Sequence, residues 1–400
     1  MNVIFLTVSR IFNVEARGIY TDLLRKFRDE GHNVYVVYPR ERQFQLPTAL
    51  EEQDGIHLLG VRTLNIQKTN VVEKGIGTIL IEKQFEKAIK RHLTGVNFEL
   101  ILYSTPPITF TNVVKYLKGR NPKAISYLLL KDIFPQNAVD LGMFSKNSLF
   151  YKYFRRKEKD LYKVSDYIGC MSPANVDFVL RHNPFVSPQK VEIAPNSITL
   201  MEEPAVDRTA IRKEYGLPLD KPVFIYGGNL GKPQGADFLL ECLENNKNRN
   251  DCYFLIVGKG TEFGKLQKWF LHAKPLNASL LAGLPKEKYD LLVCSCDVGL
   301  IFLDHRFTIP NYPSRLLSYL QYRMPIIAAT DEHTDVGSIA EAQGYGFYCR
   351  SNDVQGFRKC VDKLAMDPSL VKEMGQKGYS FLLNNYLTEH TYRTVISHFE

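Results

Sequence analysis

The chain has 400 residues, of which 44% are hydrophobic and 24% are charged, and this is the composition of a soluble globular protein rather than a disordered one. At roughly 100–200 residues per domain, the length predicts two or three domains. The net charge of +8 suits an anionic partner such as a nucleotide or a lipid head group, but it does not choose between them.

The N-terminus and the cysteines indicate the compartment. The opening MNVIFLTV has no basic stretch before its short apolar run, so it predicts a first strand rather than a signal peptide. No apolar run approaches the roughly 18 residues of a transmembrane helix. The seven cysteines are scattered, and the only close pair, Cys294 and Cys296, lacks the spacing of a disulfide framework or a zinc site. We therefore expect a cytoplasmic protein, or one peripheral on the inner face of the cell membrane.

Strand-like and helix-like segments alternate along the chain. In the first half the strand-like runs are NVIFLTV, NVYVVYP, FELILYS, AISYLLL, YIGCMS and VEIAP. A charged, proline-containing stretch, residues 201–222, interrupts the alternation, which resumes with PVFIYGG, CYFLIVG, ASLLAG, VGLIFL and PIIAAT. Most of these runs precede a segment with helical spacing. The pattern predicts an α/β protein with two doubly wound parallel sheets joined near residue 200.

The stretch YGGNLGKPQG, residues 226–235, follows the first strand of the second half. Ligands of open parallel sheets bind in the crevice at the carboxyl ends of the strands. Glycines there let the backbone approach an oxyanion, and the following helix offers free N–H groups. However, the spacing matches neither the dinucleotide fingerprint nor the P-loop. On spacing alone, a phosphate cradle and a tight strand-to-helix turn are equally good interpretations.

The order of motifs resembles that of the family 4 glycosyltransferases, which have the GT-B fold of two Rossmann-like domains facing across a cleft. GGNLGKPQG stands in the place of that family's G-R-L-x-x-x-K-G pattern, and Gly258–Gly260 provides its G-x-G. Leu281–Gly283, Met324–Ala328 and Pro195–Thr199 take the places of three further motifs. Each motif is weak by itself, but together they cover nearly the whole chain in the family's order.

A narrower resemblance is to bacterial capsule and O-antigen transferases related to L-N-acetylfucosamine transferases. KDIFPQNAVDLGMF is similar to their D-[LI]-[WYF]-P segment, and Gly228–Gly235 and Pro313–Leu316 match two further patterns of these enzymes. The resemblance implies a retaining enzyme that moves a sugar from a nucleotide donor, with UDP as the expected nucleotide, to a lipid-linked glycan. It also implies that no cofactor and no metal are needed, and that the leaving phosphate itself takes the acceptor proton.

The resemblance places the donor in the second half of the chain. The family's two phosphate-holding cations fall on Asn229 and Gln234, which are neutral, so we expect Lys232 and Arg315 to supply the charge. Fixed donors aimed at the departing diphosphate are the largest available aid to catalysis. An ordinary solvated helix residue is the alternative for Arg315. The predicted donor-binding residues are Gly227, Gly228, Asn229, Gly258, Asn311, Pro313, Ser314 and Ser318.

Two segments of the first half are candidates for the acceptor. Asp132, after the run AISYLLL, falls in the cleft that the GT-B resemblance implies. There it can orient or deprotonate an acceptor hydroxyl or contact the donor sugar, or it can simply cap the next helical turn. Lys131 beside it is expected to be a bystander. The loop after the first strand either meets an acceptor phosphate or is an ordinary surface loop, and its candidate residues are Ser9, Arg10, Arg17 and Gly18.

Residues 145–164 carry seven basic and two acidic residues interleaved with aromatic ones. Such a segment can lie on an anionic membrane surface, with its aromatic rings at head-group level. Equally, it can be an amphipathic helix whose aromatic residues face the core while its lysines stay in water. Nucleic acid is not an expected partner, because no recognition module accompanies the basic residues.

The resemblance divides the chain into an acceptor-binding domain, residues 1–200, a nucleotide-sugar-binding domain, residues 201–386, and a helix, residues 387–400, that crosses back to the first domain. The family's Glu-x7-Glu pair falls on Pro310 and Ser318, so no carboxylate is available at either place. Their loss favours a rival interpretation, a non-catalytic GT-B subunit that positions a partner transferase. A nucleotide-sugar 2-epimerase on the same architecture would need more carboxylates and histidines than the predicted cleft offers.

Overall fold

A computed structural model of the protein describes residues 1–67, 69, 71–201 and 207–399. Part of the predicted joining stretch, residues 202–206, lies outside the described residues. The chain forms two compact units. Unit 1 comprises Met1–Thr199 and Thr388–Glu400, and unit 2 comprises Leu200–Leu387. The functional roles that the sequence assigns to the two halves stay predictions.

Unit 1 contains an eight-stranded sheet with the order β3-β4-β2-β1-β5-β6-β7-β8. All neighbouring strands are parallel except β3 and β4. The strands are β1 (Asn2–Leu6), β2 (Asn33–Glu41), β3 (Ala49–Gln53), β4 (Ile56–Thr63), β5 (Leu100–Ser104), β6 (Ile125–Leu130), β7 (Tyr167–Cys170) and β8 (Val191–Ile193). The helices are α1 (Ile19–Asp29), α2 (Val71–His92), α3 (Thr111–Arg120), α4 (Gln136–Asp140), α5 (Leu149–Val164) and α6 (Pro173–His182).

Unit 2 contains a six-stranded, fully parallel sheet with the order β11-β10-β9-β12-β13-β14. Its strands are β9 (Val223–Asn229), β10 (Tyr253–Lys259), β11 (Ala278–Ala282), β12 (Val298–Phe302), β13 (Ile326–Thr330) and β14 (Gly346–Arg350). Its helices are α7 (Arg208–Glu214), α8 (Ala236–Asn246), α9 (Phe263–Ala273), α10 (Lys286–Cys294), α11 (Arg315–Gln321), α12 (Val336–Ala342), α13 (Val354–Met366) and α14 (Pro368–Asn385).

The central strands of both sheets are continuous apolar runs. Every residue of β5, β12 and β13 is buried. Strands that helices cover on both faces need such runs, whereas a strand with one solvated face alternates polar and apolar residues. Side-chain caps fix several helix starts: Ser148 accepts the N–H of Tyr151, and Ser172 accepts the N–H of Asn175. The predicted pair of Rossmann-like parallel sheets is confirmed.

The last helix, α15 (Thr388–Ile396), belongs to unit 1 although α14 belongs to unit 2. Its first residue, Thr388, donates its N–H to the carbonyl of Ile198 at 3.0 Å. The ring of Tyr392 meets that of Phe27 edge to face at 5.0 Å, and Val395 lies in the core of unit 1. These contacts hold the end of the chain on α1 and on the segment after β8.

Gly375, in the middle of α14, lies where that helix passes the carbonyl of Arg323, and an added Cβ would overlap the carbonyl oxygen. Because backbone cannot yield as a side chain can, we expect Gly375→Ala to lower the free energy of unfolding by about 1–3 kcal/mol. Gly264 in α9 has open space around it. Gly264→Ala should therefore be neutral or stabilise by about 1 kcal/mol. Urea unfolding of both variants measures the contrast, and equal stabilities would contradict the packing.

Candidate active site

The turn after β9, residues 228–235, lies at the carboxyl edge of the sheet of unit 2. Gly228 is exposed and has a φ of +127°, a conformation that favours glycine. Backbone bonds anchor the turn to the neighbouring strand, because Leu230 donates its N–H to the carbonyl of Lys259 at 3.0 Å. The turn ends at Gly235, where α8 begins, and β10 and β12 lie on either side of β9.

Two of the predicted donor-binding glycines have a packing role instead. Gly227 is buried, its N–H donates to the hydroxyl of Tyr319 at 3.2 Å, and an added Cβ would overlap the hydroxyl oxygen of Tyr289. An added Cβ on Gly258, which is also buried, would overlap the carbonyl oxygen of Gly228. Their glycine identity is therefore explained by close neighbours inside unit 2. A role of these two residues in donor binding stays a prediction.

Arg315, the first residue of α11, lies beside the exposed Gly228. Its Nη2 is 3.4 Å from the position that a Cβ on Gly228 would take. Its guanidinium carbon lies 4.3 Å from the ring centroid of Tyr226, within range of a cation–π interaction. Tyr226 in turn donates its hydroxyl to the carbonyl of Asn229 at 2.7 Å. The guanidinium of Arg315 therefore lies beside Gly228, the exposed glycine of the turn.

The guanidinium of Arg315 is not balanced by a carboxylate. Within the described ranges no ion pair involves it, and its buried Nη1 has no hydrogen-bond partner. Two other arginines of unit 2 differ: the buried Arg212 pairs with Asp297 at 2.5 Å, and the half-buried Arg249 pairs with Asp251 at 2.6 Å. Burial lowers the pKa of Arg315, but the nearby tyrosine hydroxyls outweigh that effect and raise its pKa. The group is therefore a half-buried cation, with Nη1 fully buried, for which the described residues provide no counter-ion.

The neutral amides at the family's two cationic positions bind each other. Asn229 donates its Nδ2 to Oε1 of Gln234 at 2.9 Å, and the N–H of Gly231 donates to the same oxygen at 3.2 Å. They therefore close the turn. Lys232 lies on the same turn, is exposed, and has no partner for its ammonium group among the residues that the structure describes.

Lys259, at the end of β10, is a further cation at this edge that the sequence analysis did not select. It lies opposite Asn229 in the strand register, and its side chain runs across Gly283, with Cδ 3.3 Å from the position of an added Cβ. It is exposed and makes no ion pair in the described part of the chain. Its signal was present in the sequence, since Lys259 is the central residue of the G-x-G motif.

The segment before α11 supplies a second unpaired donor. Asn311 donates its backbone N–H to Oγ1 of Thr334 at 3.0 Å, while its buried Nδ2 has no partner. Pro313 and Ser314 form the turn that leads into α11, and their carbonyls accept the first helical N–H groups. Ser318 lies one turn further along the helix and is half-buried. The structure thus places all four predicted residues at the end of α11 that carries Arg315.

In unit 1, Asp132 follows β6 at the carboxyl edge of the sheet. Its Oδ1 accepts the Nδ2–H of Asn137 at 2.8 Å. Burial raises the pKa of its carboxyl group to about 6, although the hydrogen bond from Asn137 lowers that pKa. Pro135 occupies the N-cap position of the next helix, α4, so Asp132 is not its N-cap. Tyr20 lies close enough for the charge of Asp132 to contribute to its raised pKa, of which burial is the largest cause.

Lys131, expected from the sequence to be a bystander, has an ammonium group whose pKa is lowered by its surroundings. Its Nζ donates to the carbonyl of Ala194 at 3.0 Å, and burial lowers the pKa of its ammonium group to about 7. The surroundings come from strands far apart in the chain, including Cys170 at the end of β7. No local pattern in the sequence signals this.

The loop after β1 does not present a free anion site at Arg10. The guanidinium donates from Nε at 2.8 Å and from Nη2 at 2.6 Å to Oε1 of the buried Glu41. Ser9 donates its N–H to Oγ1 of Thr7, and Gly18 precedes α1 in an extended conformation that does not require glycine. Arg17 is half-buried. The predicted phosphate contact of Arg10 is not supported, because a buried carboxylate already balances its charge.

Removing the charge at Asp132 should change the pH dependence of stability. Because the folded carboxyl holds its proton up to about pH 6, against 3.8 for the free group, its burial costs stability once the pH exceeds both values. Asp132→Asn should therefore be more stable than the unmutated protein at pH 7.5, by about 1–3 kcal/mol, and little different at pH 3.5.

Urea unfolding at the two pH values measures this difference. Asp177→Asn is the control, because Asp177 is an exposed carboxylate of unit 1. Lower stability of Asp132→Asn at pH 7.5 would contradict the costly burial of this group.

Comparison with known proteins identifies the chemistry of unit 2. Residues 207–381 match the family model "Glycosyl transferases group 1". The chain is 23% identical over 303 residues to the probable glycosyltransferase WbjE of Pseudomonas aeruginosa, covering 74% of this chain and 70% of that protein. It is 25% identical over 138 residues to the putative colanic acid biosynthesis glycosyl transferase WcaI of Escherichia coli K12, covering 34% and 33% of the two chains.

A solved structure shows the fold. HepE from Anabaena, in complex with UDP-glucose, superimposes with a TM-score of 0.72 at 13% identity, covering 100% of this chain and 99% of that one. The predicted GT-B fold and the predicted enzyme class are therefore confirmed. Residues 207–381 match the group 1 glycosyltransferase model, and the chain is a glycosyltransferase.

Proposed function

We propose that the protein is a retaining glycosyltransferase that moves a sugar from a UDP-sugar to a lipid-linked glycan during the synthesis of a bacterial surface polysaccharide. The observation that carries the donor side of this proposal is the buried guanidinium of Arg315, which lies beside Gly228 without a carboxylate partner in the described chain. The printed name of WcaI includes colanic acid biosynthesis, which supports a polysaccharide product.

The diphosphate of the donor is the ligand that such a site fits. Burying an unbalanced cation is costly, and an anion that enters beside it removes that cost. Arg315 would donate from Nη2 at Gly228, where the backbone is open. Lys232 and Lys259 add charge at the same edge of the sheet. As the glycosidic bond to the diphosphate breaks, negative charge grows on the leaving oxygen, and these fixed cations stabilise it.

The nucleoside is proposed to be uridine. HepE, which has the same fold, is described in complex with UDP-glucose, and this supports UDP as the first nucleotide to test. The carboxylate that usually binds the ribose is replaced by Ser318, whose hydroxyl would accept hydrogen bonds more weakly. We therefore expect nucleotide affinity to depend more on the diphosphate, and so on Arg315, than in relatives that keep both glutamates.

On the acceptor side, we assign Asp132 to the acceptor hydroxyl. Its carboxyl group, with a pKa of about 6, is mostly ionised at neutral pH and can accept a hydrogen bond from that hydroxyl. In the proposed mechanism the acceptor proton passes to the leaving phosphate oxygen, and Asp132 orients the hydroxyl. The described residues contain no group of three or more His, Cys, Asp or Glu side chains arranged to hold a metal ion. The metal-free reaction remains part of the proposal.

We further propose that α5 docks unit 1 on an anionic membrane. The inner face of this helix is packed in the unit, with Phe154 and Tyr162 buried, as the amphipathic-helix interpretation expects. Its outer face exposes Leu149, Lys152, Tyr153 and Arg156, which recur at helical spacing on one side. An apolar and basic stripe of this kind suits the boundary between head groups and acyl chains. None of the described helices is both long and apolar enough to cross a bilayer.

The first test separates a ligand-binding cation from a structural one. We expect Arg315→Met to weaken UDP binding about 10- to 150-fold, because one charge-assisted contact is worth roughly 1.5–3 kcal/mol. Its melting temperature without ligand should fall less than that of Arg212→Met, because in the described chain Arg315 loses a cation–π contact with Tyr226 but no ion pair. Arg212→Met is the matched control: this buried arginine pairs with Asp297, so its loss should lower the melting temperature. Calorimetry and thermal unfolding measure the two effects.

The outcomes of that test are distinct. Full UDP affinity in Arg315→Met would remove the diphosphate assignment and leave the turn as a structural feature. If the unmutated protein binds no nucleotide from a panel of nucleoside diphosphates, the rival non-catalytic role becomes the better explanation. Sugar transfer measured with the accepted donor should fall by the same factor in kcat/KM as UDP affinity or by more.

The membrane test uses the exposed stripe of α5. Arg155 is unsuitable, because it pairs with the buried Glu158 and donates to the carbonyl of His182 at 2.9 Å. We expect Lys152→Glu with Arg156→Glu to weaken binding to phosphatidylglycerol vesicles at least tenfold, since each basic residue near the surface contributes about 1 kcal/mol. Lys359→Glu, an exposed change on α13, is the control. Unchanged vesicle binding in the double variant would restrict α5 to its packing role.

A further inference from the structure

Unit 2 has a cavity of about 720 Å³ at the edge of its sheet opposite the Gly228 turn. The loops that lead into β9, β10 and β11 form it, with lining residues between 216 and 277. Because these three strands are parallel, the loops lie at their amino ends, whereas Gly228 lies at the carboxyl end of β9. The cavity is therefore separate from the proposed donor site, and no role is assigned to it above.

Four basic side chains line this cavity, and two of them lack an internal partner. Arg249 is held by Asp251 and Asp362, and Lys247 is paired with Glu244. For Lys221 and Lys274, in contrast, the described residues include no acidic partner. Two ammonium groups are thus left to bind an anion in the cavity, while Arg249 forms a fixed part of its wall.

The remaining lining residues suit a polyhydroxylated ligand. The exposed Asn248 and Asn250 provide carboxamides, each able to donate to and accept from hydroxyl groups, and the buried Asn277 lies in the wall. Asn277 donates its Nδ2 to the carbonyl of Asn246 at 2.9 Å, while its buried Oδ1 has no partner. Tyr253 is half-buried and also lines the cavity, and none of the ring pairs in the described chain involves it.

The apolar walls complete the match to a saccharide. Leu217, Pro218 and Pro275 line the cavity beside Tyr253, and Leu276 projects with 96% of its side chain exposed. Sugar rings present C–H faces that pack on such surfaces and hydroxyl edges that bind amides. The volume lies in the range of small-molecule sites, about 300–1,000 Å³. A purely anionic ligand would not use the amides or the tyrosine, and a neutral sugar would not use the lysines.

We propose that this cavity binds an anionic oligosaccharide, with Lys221 and Lys274 on its acidic groups, the asparagines on its hydroxyls and Tyr253 on a ring face. On an enzyme that extends a polysaccharide, such a site would hold an acidic portion of the acceptor or product outside the donor site. This role rests on the proposed function, whereas the binding itself does not, because no residue of the cavity belongs to the Gly228 turn.

The chain contains its own reporter of the cavity. Trp269 is the single tryptophan of the sequence, and its Nε1 donates to Oε2 of Glu244 at 3.0 Å. The other oxygen of Glu244 pairs with Lys247, a lining residue. A ligand that disturbs the pair between Lys247 and Glu244 changes the surroundings of Trp269, so tryptophan fluorescence gives a second signal, without a label, beside the heat of binding.

The experiment titrates trigalacturonate into the full chain by isothermal titration calorimetry, with Trp269 fluorescence as a second signal and neutral maltotriose as the comparison. We expect saturable binding of trigalacturonate only. Lys221→Glu with Lys274→Glu should weaken it at least tenfold, since each lost charge-assisted contact costs about that factor. Tyr253→Ala should weaken it several-fold without changing the net charge. Lys359→Glu, outside the cavity, should leave it unchanged, and melting temperatures verify that each variant is folded.

Several outcomes would overturn the inference: no binding, equal binding in the lysine double variant, or equal binding of maltotriose. Equal binding of triglutamate, together with no effect of Tyr253→Ala, would show a general anion surface instead. Saturating UDP should not displace the saccharide, and displacement would place it at the donor site. A protein that binds trigalacturonate but no UDP would keep this inference while the proposed function fails.

Discussion

The buried guanidinium of Arg315 is the constraint around which the edge of unit 2 is arranged. A cation taken out of water must be compensated, and here tyrosines do so in place of a carboxylate. The ring centroid of Tyr226 lies 4.3 Å from the guanidinium carbon of Arg315. The hydroxyls of Tyr319 and Tyr289 contribute to the raised pKa of Arg315. A carboxylate in their place would neutralise the guanidinium and compete with a phosphate ligand. Tyrosines compensate it only in part, so the group still attracts an anion.

Glycines of the central strands make room for this arrangement. The ring of Tyr319 occupies the space that a Cβ on Gly299 of β12 would need, and the hydroxyl of Tyr289 occupies that of Gly227 in β9. Tyr319 also accepts the N–H of Gly227, which ties α11 to β9. The position of Arg315 relative to Gly228 is therefore fixed by packing inside unit 2. Gly227 belongs to a motif that suggests phosphate contact. Its contribution to such a contact is indirect, because its missing side chain leaves room for the tyrosines that pack around Arg315.

How far the sequence predicts each feature follows from the range of the contacts involved. Strand–helix alternation is local, and it was enough to predict both parallel sheets. The edge positions of Asp132 and Arg315 follow from where their strands and helices end. The ion pair between Arg10 and Glu41 joins residues 31 apart, and the low pKa of Lys131 depends on three strands, so neither has a local signal. Of the two interpretations of residues 145–164, the structure shows the buried face that an amphipathic helix requires, whereas membrane binding by the exposed face stays a prediction.

The sign of the unbalanced charge distinguishes the two proposed binding sites. In unit 1 the arginine predicted to bind an anion is neutralised by the buried Glu41, whereas the carboxyl of Asp132 is bound by an amide and, in the described part of the unit, by no cation. In unit 2 the reverse holds, since no carboxylate of the described residues pairs with Arg315. A hydroxyl group can donate to an unbalanced carboxylate, and a diphosphate can accept from an unbalanced guanidinium. An acceptor alcohol in unit 1 and a nucleotide donor in unit 2 are the substrates that satisfy both.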